Sequence, residues 1–282
     1  MRKILVTGAT GFIGRQCLQY LNDYEVHATY LSGWKSERWL TTDVVWYWAD
    51  LLNDAKSIIE TVRPTHLLHF AWFMEHGKYW TSEKNLIWLQ ASTNLLRAFA
   101  DNGGQRVVIA GSCAEFGKSL YGICKHSLQL VTSAYCKARG ISSAWGRIFF
   151  PYGAYERPQR LVPYVINNLL QNKEALCTSG TQVRDLVYVS DVAKAFVDIL
   201  NSDVQGVVNI GSGTGTPIKE VVTTIGKLLQ REELIKLCAV PDRPDETGII
   251  IANNSCLQDI GWSPEFDLEI GIQKAIDYWT SK

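Results

Sequence analysis

The strongest constraint on the fold lies in the first fourteen residues, where a β-branched run ends on three evenly spaced glycines. Lys3-Ile4-Leu5-Val6-Thr7 reads as a strand, Gly8-Ala9-Thr10-Gly11-Phe12-Ile13-Gly14 follows at once, and an amphipathic stretch to about Leu21 reads as a helix. Between strand and helix, Gly8 permits the tight turn, Gly11 lets the backbone approach a diphosphate, and Gly14 lets the helix pack close to the strand. The free N–H groups and positive end of that helix favour phosphate. Gly8, Thr10, Gly11, Phe12, Ile13 and Gly14 are therefore the expected dinucleotide contacts. A glycine turn without a ligand is the bland alternative, and the strand–helix context argues against it.

The same alternation continues. Strands are expected at Glu25 to Tyr30, Val44 to Trp48, Thr65 to Phe70, Arg106 to Ala110 and Ser143 to Phe149, with long helices near 82–100 and 120–138. Strands alternating with helices pair in parallel through right-handed crossovers, which predicts an α/β fold with a doubly wound parallel sheet. Ligands of such sheets lie beyond the carboxyl ends of the strands, so Phe70, Ala71 and Ala110 join the expected cofactor contacts. An acid closing the second strand would bind the adenosine ribose, but Tyr30 stands there, followed by Ser32, Lys35 and Arg38. These favour NADP(H), with NAD(H) as the alternative; Lys35 and Arg38 also read as ordinary solvated loop charges. Asp50, beside Leu51, suits the adenine amino group or, equally, a helix cap.

Composition excludes some classes. Twenty-eight basic and 28 acidic residues leave no net charge, so neither a nucleic-acid nor a membrane surface is expected. No apolar run reaches the roughly 18 residues of a membrane span. The N-terminus runs directly into the glycine motif, so no leader is expected. Seven scattered cysteines without a Cys-x-x-Cys pair fit free thiols in a reducing cytoplasm. His69, His126 and the other histidines have no metal-ligand spacing, so no metal site is expected.

Tyr121 and Lys125 stand four apart, on one face of the 120–138 helix. A neighbouring ammonium, and the positive charge of an oxidised nicotinamide, favour a phenolate, which can exchange a proton with a substrate oxygen. Ser112, just past the fifth strand, is placed to polarise the same oxygen. A surface helix pair is the bland reading of Tyr-x-x-x-Lys; its position after a nucleotide-binding half favours the chemical one.

Several motifs now coincide: Thr7 to Gly14, Gly111 to Gly117, Tyr121 to Lys125, Arg147 to Gly153, Arg184 to Ala193, Asn209 to Gly213, and Gly261-Trp262-Ser263-Pro264. In them the chain resembles the extended short-chain dehydrogenase/reductases of the NAD-dependent epimerase/dehydratase family that act on nucleotide sugars. The resemblance implies a Rossmann domain over 1–150, with part of 187–210 packing back on it, and a smaller mixed substrate lobe over 151–282. It implies Ser112, Tyr121 and Lys125 as the catalytic group, with Lys125 also on the nicotinamide ribose and Phe150 near its carboxamide. It further implies a nucleotide-diphosphate sugar held by Ser112, Cys113, Arg160, Arg184 and Arg243, and a homodimer through the helices near 82–100 and 120–138. Arg157 is a further arginine of this lobe, and Arg184 with Asp185 also reads as a structural ion pair.

Within the family, dehydratases resemble Thr-Asp-Glu at the Ser112 position. Here Cys113 and Ala114 follow the serine and Glu115 falls one place too far, so the acid pair for dehydration is missing. Ala114 and Arg160 stand where a double epimerase–reductase places cysteine and histidine. The resemblance leaves hydride transfer at C4, by a reductase of a 4-keto-6-deoxy sugar or by a 4-epimerase retaining NAD. A remote third reading is a silent NADP-sensing protein, which both Tyr121 and Lys125 argue against. The family also carries a longer loop between serine and tyrosine; the eight residues here reach about 28 Å when extended, enough to permit the contact.

Overall fold

The structure, a computed structural model, describes residues 2–31, 43–242 and 248–282. Ser32, Lys35, Arg38 and Arg243, all expected ligand contacts, lie outside the described residues. The chain divides into two compact units, residues 1–148 with 193–208, and residues 149–192 with 209–282.

The first unit is built on a sheet whose strands are β1 (Arg2–Thr7), β2 (Tyr24–Tyr30), β3 (Val44–Trp48), β4 (His66–His69), β5 (Arg106–Ser112) and β6 (Ser142–Ile148), with Gly206–Ile210 beyond β6. Across the sheet the order is Gly206–Ile210, β6, β5, β4, β1, β2, β3, and β1 to β6 pair in parallel. The winding reverses between β1 and β4, so this is the doubly wound Rossmann-like architecture expected from the alternation. Ile4, Leu5 and Val6 are fully buried in succession, as a central strand covered on both faces requires.

The flanking helices follow their sequence signals. α1 (Gly14–Cys17) is shorter than the amphipathic stretch suggested: one α-turn tightens into a 3₁₀ turn at Leu18–Tyr20 before the chain enters β2. α2 (Leu51–Val62) buries Leu51, Ala55, Ile58, Ile59 and Val62 along one stripe. It starts at Asp50, whose carboxylate accepts from the Leu52 N–H, and stops at Arg63 in the left-handed region, ahead of Pro64. α3 (Lys84–Asp101) and α4 (Leu120–Arg139) complete this layer. Ser119 caps α4 through the Gly122 N–H at 3.1 Å, and Gly140, at φ 67°, ends it. Observed strand ends differ from the sequence expectation by one or two residues, the usual fraying of element boundaries.

The second unit contains β7 (Phe150–Tyr152), α5 (Leu161–Leu170), α7 (Ile218–Leu229), α8 (Ser255–Asp259) and α9 (Leu268–Thr280); α6 (Val189–Asn201) spans the division. Its three-stranded sheet places Val183–Arg184 between Thr216–Pro217 and Ile249–Ile250. Asp185, completely buried, organises the turns beside it. It accepts from the Ser212 N–H and hydroxyl, the Gly213 N–H and the Ala252 N–H at 2.6–3.0 Å. Trp262, one of the largest fully buried side chains, donates its indole N–H to the Asp191 carbonyl at 3.3 Å.

Candidate active site

At the end of β1 the chain turns at Gly8, where φ is +71° and a Cβ would stand 2.7 Å from the Ala71 nitrogen. Only glycine fits both the conformation and the approach. The Gly11 N–H closes the turn on the Gly8 carbonyl at 2.9 Å. Arg15 donates from Nε to the Gly11 carbonyl at 3.1 Å and from Nη2 to the Thr10 carbonyl. Arg15 was not singled out from the sequence; its spacing from Gly11, one helical turn, was the available signal. The loop carbonyls are thereby occupied from one side, a frame suited to a diphosphate meeting the loop through its N–H groups.

Around this loop, Phe70 and Ala71 follow β4, Tyr30 closes β2, Asp50 and Leu51 begin α2, and Ala110 lies within β5. All belong to the first unit, whereas Phe150, Arg160 and Arg184 belong to the second. His69 is fully structural: Thr7 Oγ1 and Ser92 Oγ lie 2.6 and 2.9 Å from its ring nitrogens, and burial pushes its pKa down to about 3.

Ser112, Tyr121 and Lys125 converge. Ser112 ends β5 and caps the 3₁₀ turn Cys113–Phe116, accepting from the Ala114 N–H at 3.2 Å. Tyr121 lies in the first turn of α4, where the Ser112 side chain acts on its phenol. The short link reaches because the 3₁₀ turn packs flat on α4: a Cβ at Gly122 would collide with the Ala114 carbonyl. Gly122, inside the Tyr-x-x-x-Lys motif, thus permits the close approach. Lys125 is buried one turn further on and donates to the Ala110 carbonyl at 2.8 Å.

Burial sets the electrostatics. It outweighs every other influence on Tyr121 and holds the phenol well above its ordinary value, with the Ser112 hydroxyl acting in the opposite direction. Desolvation likewise brings the Lys125 ammonium down to about 7, while Glu115 opposes the fall. The Tyr121 ring stands edge-on to Tyr79 and Trp80, and its backbone N–H donates to the Trp80 carbonyl at 3.1 Å.

Glu115 fell outside the acid pair sought from sequence, and its position explains why. One carboxylate oxygen accepts from the Ser112 N–H at 2.7 Å and the Trp145 indole at 2.9 Å; the other accepts from Arg147 Nε at 2.9 Å. The side chain is completely enclosed, so it fixes the turn that carries Ser112. The spacing Ser112-x-x-Glu115 is a capping box, a signal legible in the sequence.

In the second unit, Arg184 donates to the Val183 and Gly248 carbonyls, with its guanidinium over the Phe150 ring. Arg160 immediately precedes α5 and faces Glu156 at 3.6 Å. Cys113 is partly buried, and none of the seven cysteines forms a disulfide. Among the described residues no cluster suits a metal, and no helix is long and apolar enough to cross a membrane.

Residues 4–211 match the model of the NAD dependent epimerase/dehydratase family. The chain belongs to that family. It is an enzyme-family member of the extended short-chain dehydrogenase/reductase type, as the motifs implied. A CDP-abequose synthase of Salmonella muenchen is 34% identical over 133 residues, covering 46% of this chain and 45% of that protein. The matched stretch thus spans about half the length of this relative, and 54% of a second CDP-abequose synthase from Salmonella typhimurium. A UDP-glucose 4-epimerase of Corynebacterium glutamicum is 24% identical over 302 residues, covering 93% of this chain and 91% of its own. Among solved structures, a UDP-glucose 4-epimerase of Thermotoga maritima with UDP-glucose superimposes with a TM-score of 0.88 at 22% identity, over 99% of each chain.

Proposed function

We propose that this chain reduces the C4 ketone of a nucleotide-linked 4-keto-6-deoxy sugar, or catalyses the reverse oxidation, with NADP(H) as the favoured cofactor. The observation that carries this reading is the placement of Ser112 at the end of β5, of Tyr121 in the first turn of α4, and of Lys125 one helical turn beyond with its ammonium on the β5 carbonyl of Ala110. The glycine turn fits a dinucleotide diphosphate, since its carbonyls are engaged by Arg15 and its backbone is free of side chains at Gly8 and Gly11. Thr10, Phe12, Ile13, Gly14, Tyr30, Asp50, Leu51, Phe70, Ala71, Ala110 and Phe150 complete the proposed cofactor contacts; Ser32, Lys35 and Arg38 supply the preference for a 2′-phosphate. The bound nicotinamide supplies or accepts the hydride.

The chain's own residues manage the oxygen and the proton. The Ser112 hydroxyl donates to the substrate oxygen and polarises its carbon. Tyr121 passes its phenolic proton to that oxygen as charge develops there, and the Lys125 ammonium favours the phenolate left behind. Ser112-Cys113-Ala114 offers no carboxyl pair for dehydration. Arg160, Arg184 and Arg243 hold the nucleotide diphosphate, a task guanidinium groups perform in bidentate fashion. The likeness to CDP-abequose synthases supports a deoxy-sugar reductase. The nearly full-length likeness to UDP-glucose 4-epimerases supports a second reading, a 4-epimerase with retained NAD.

A homodimer fits the exposed apolar side chains Leu86 and Ile87 on α3 and Ile123, Leu130 and Val131 on α4. A reducing cytoplasm fits the unpaired thiols. The test is cofactor stoichiometry with a nucleotide 4-keto-6-deoxy sugar. The reductase consumes one reduced nicotinamide per product, favouring NADPH over NADH. Turnover of a nucleotide hexose without added cofactor overturns this reading in favour of the epimerase.

A further inference from the structure

Lys125 is buried, and among the described residues no ion pair includes its ammonium. Glu115 is the acid that acts on it, but both Glu115 oxygens are engaged by Ser112, Trp145 and Arg147. What meets the ammonium instead is an aromatic face. Nζ lies 4.0 Å from the centroid of Trp72, in the segment leaving β4, and 5.9 Å from that of Trp145. The Trp72 ring is itself fixed: its indole N–H donates to Asn85 Oδ1 at 2.9 Å. Asn85 is completely buried, and its amide nitrogen donates to the Tyr79 and Ser82 carbonyls at 2.7 and 2.8 Å. A chain of contacts therefore runs from the start of α3, through a locked indole, to the ammonium.

We propose that Trp72, held by Asn85, is a positioning residue for Lys125: its indole face keeps the buried ammonium charged and fixed at the Ala110 carbonyl, one helical turn beyond Tyr121. The inference rests on the hydride-transfer reading for why the charge matters, but the contact itself does not. A desolvated cation over an indole is among the stronger interactions of its kind. It also serves this geometry better than a carboxylate would. A salt bridge would occupy the N–H donors, whereas a π face stabilises the charge and leaves donors beyond the Ala110 bond available. The groups facing Lys125 are Glu115 from the 3₁₀ turn, His69 from β4, the Ala110 carbonyl from β5, and the two indoles. His69 is neutral, its pKa pushed down to about 3, so Glu115 and the rings are what oppose desolvation.

The test follows the Lys125 side chain directly. The protein is labelled with ¹³C at lysine Cε, the Lys125 signal is assigned by its loss in Lys125→Met, and its titration midpoint is read by NMR. Trp72→Leu removes the π face, and its midpoint falls by about one pH unit. Trp72→Phe keeps an aromatic face, and its midpoint stays within about 0.3 unit of the parent. Trp72→Met, flexible enough to fill the space, replaces the Leu variant if that variant does not fold. A Leu or Met variant titrating with the parent, or a Phe variant shifting as far as either, overturns the proposal. Turnover separates this outcome from the functional reading. If Lys125→Met retains full activity, the hydride-transfer role fails while the NMR comparison still decides the role of Trp72.

Discussion

Glu115 and Glu156 are buried to nearly the same extent, at 9% and 7% exposure, one in each unit, yet their surroundings are opposite. Glu115 receives three N–H donors over its two oxygens, including the Arg147 guanidinium. Glu156 has Arg160 at 3.6 Å on one oxygen, while its other oxygen has no hydrogen-bond partner among the described residues. Burial raises Glu156 to about 7, against smaller opposing effects of Arg160 and the Gly153 backbone. A buried carboxylate thus stabilises a fold only where the chain supplies its donors. The first unit supplies them beneath Ser112, the residue proposed to polarise the substrate oxygen. The second leaves an acid whose protonation changes near neutral pH.

The largest expected effect breaks the first half of this comparison. Glu115→Leu removes the carboxylate shared by Arg147, the Trp145 indole and the Ser112 N–H, and should cost about 4 kcal/mol in denaturant unfolding. A loss below about 1 kcal/mol would mean that the network is ornamental. A smaller effect sharpens the second half. Because the folded-state pKa of Glu156 lies above its unfolded value, its contribution is fully present below about pH 4.5 and is lost as pH rises through about 7. Over that window the parent should lose about 2 kcal/mol, a figure discounted for the half-exposed Arg160. Glu156→Gln should flatten this loss and be the more stable protein at pH 8. Parallel pH profiles for parent and variant would remove the contrast.

Much of this arrangement was legible in the residues. The glycine turn, the alternation, and the spacing of Tyr121 and Lys125 are local patterns, so the sheet and the placing of both residues on α4 follow from spacing. α1 was overestimated because amphipathic spacing does not reveal how soon a chain must turn into its next strand. In the sequence Glu115 reads only as a displaced acid, since its partners Trp145 and Arg147 lie some thirty residues on, joined to it only by the β5–β6 pairing. Trp72 was likewise invisible, because its contacts with Asn85 and Lys125 exist only once β4, α3 and α4 are assembled. Gly122 could have been found: a glycine in the first turn of a helix calls for a close neighbour.

The proposed function stands on Tyr121 as the group that would move the proton, with Ser112 and Lys125 assisting. Its most direct test is Tyr121→Phe, assayed for nicotinamide oxidation with a nucleotide 4-keto-6-deoxy sugar, with cofactor affinity measured on the same preparation by fluorescence. The account predicts that kcat falls by about 10³-fold while the cofactor dissociation constant stays within about threefold of the parent, a change worth less than 1 kcal/mol. A variant that binds cofactor and turns over at the parent rate would contradict it.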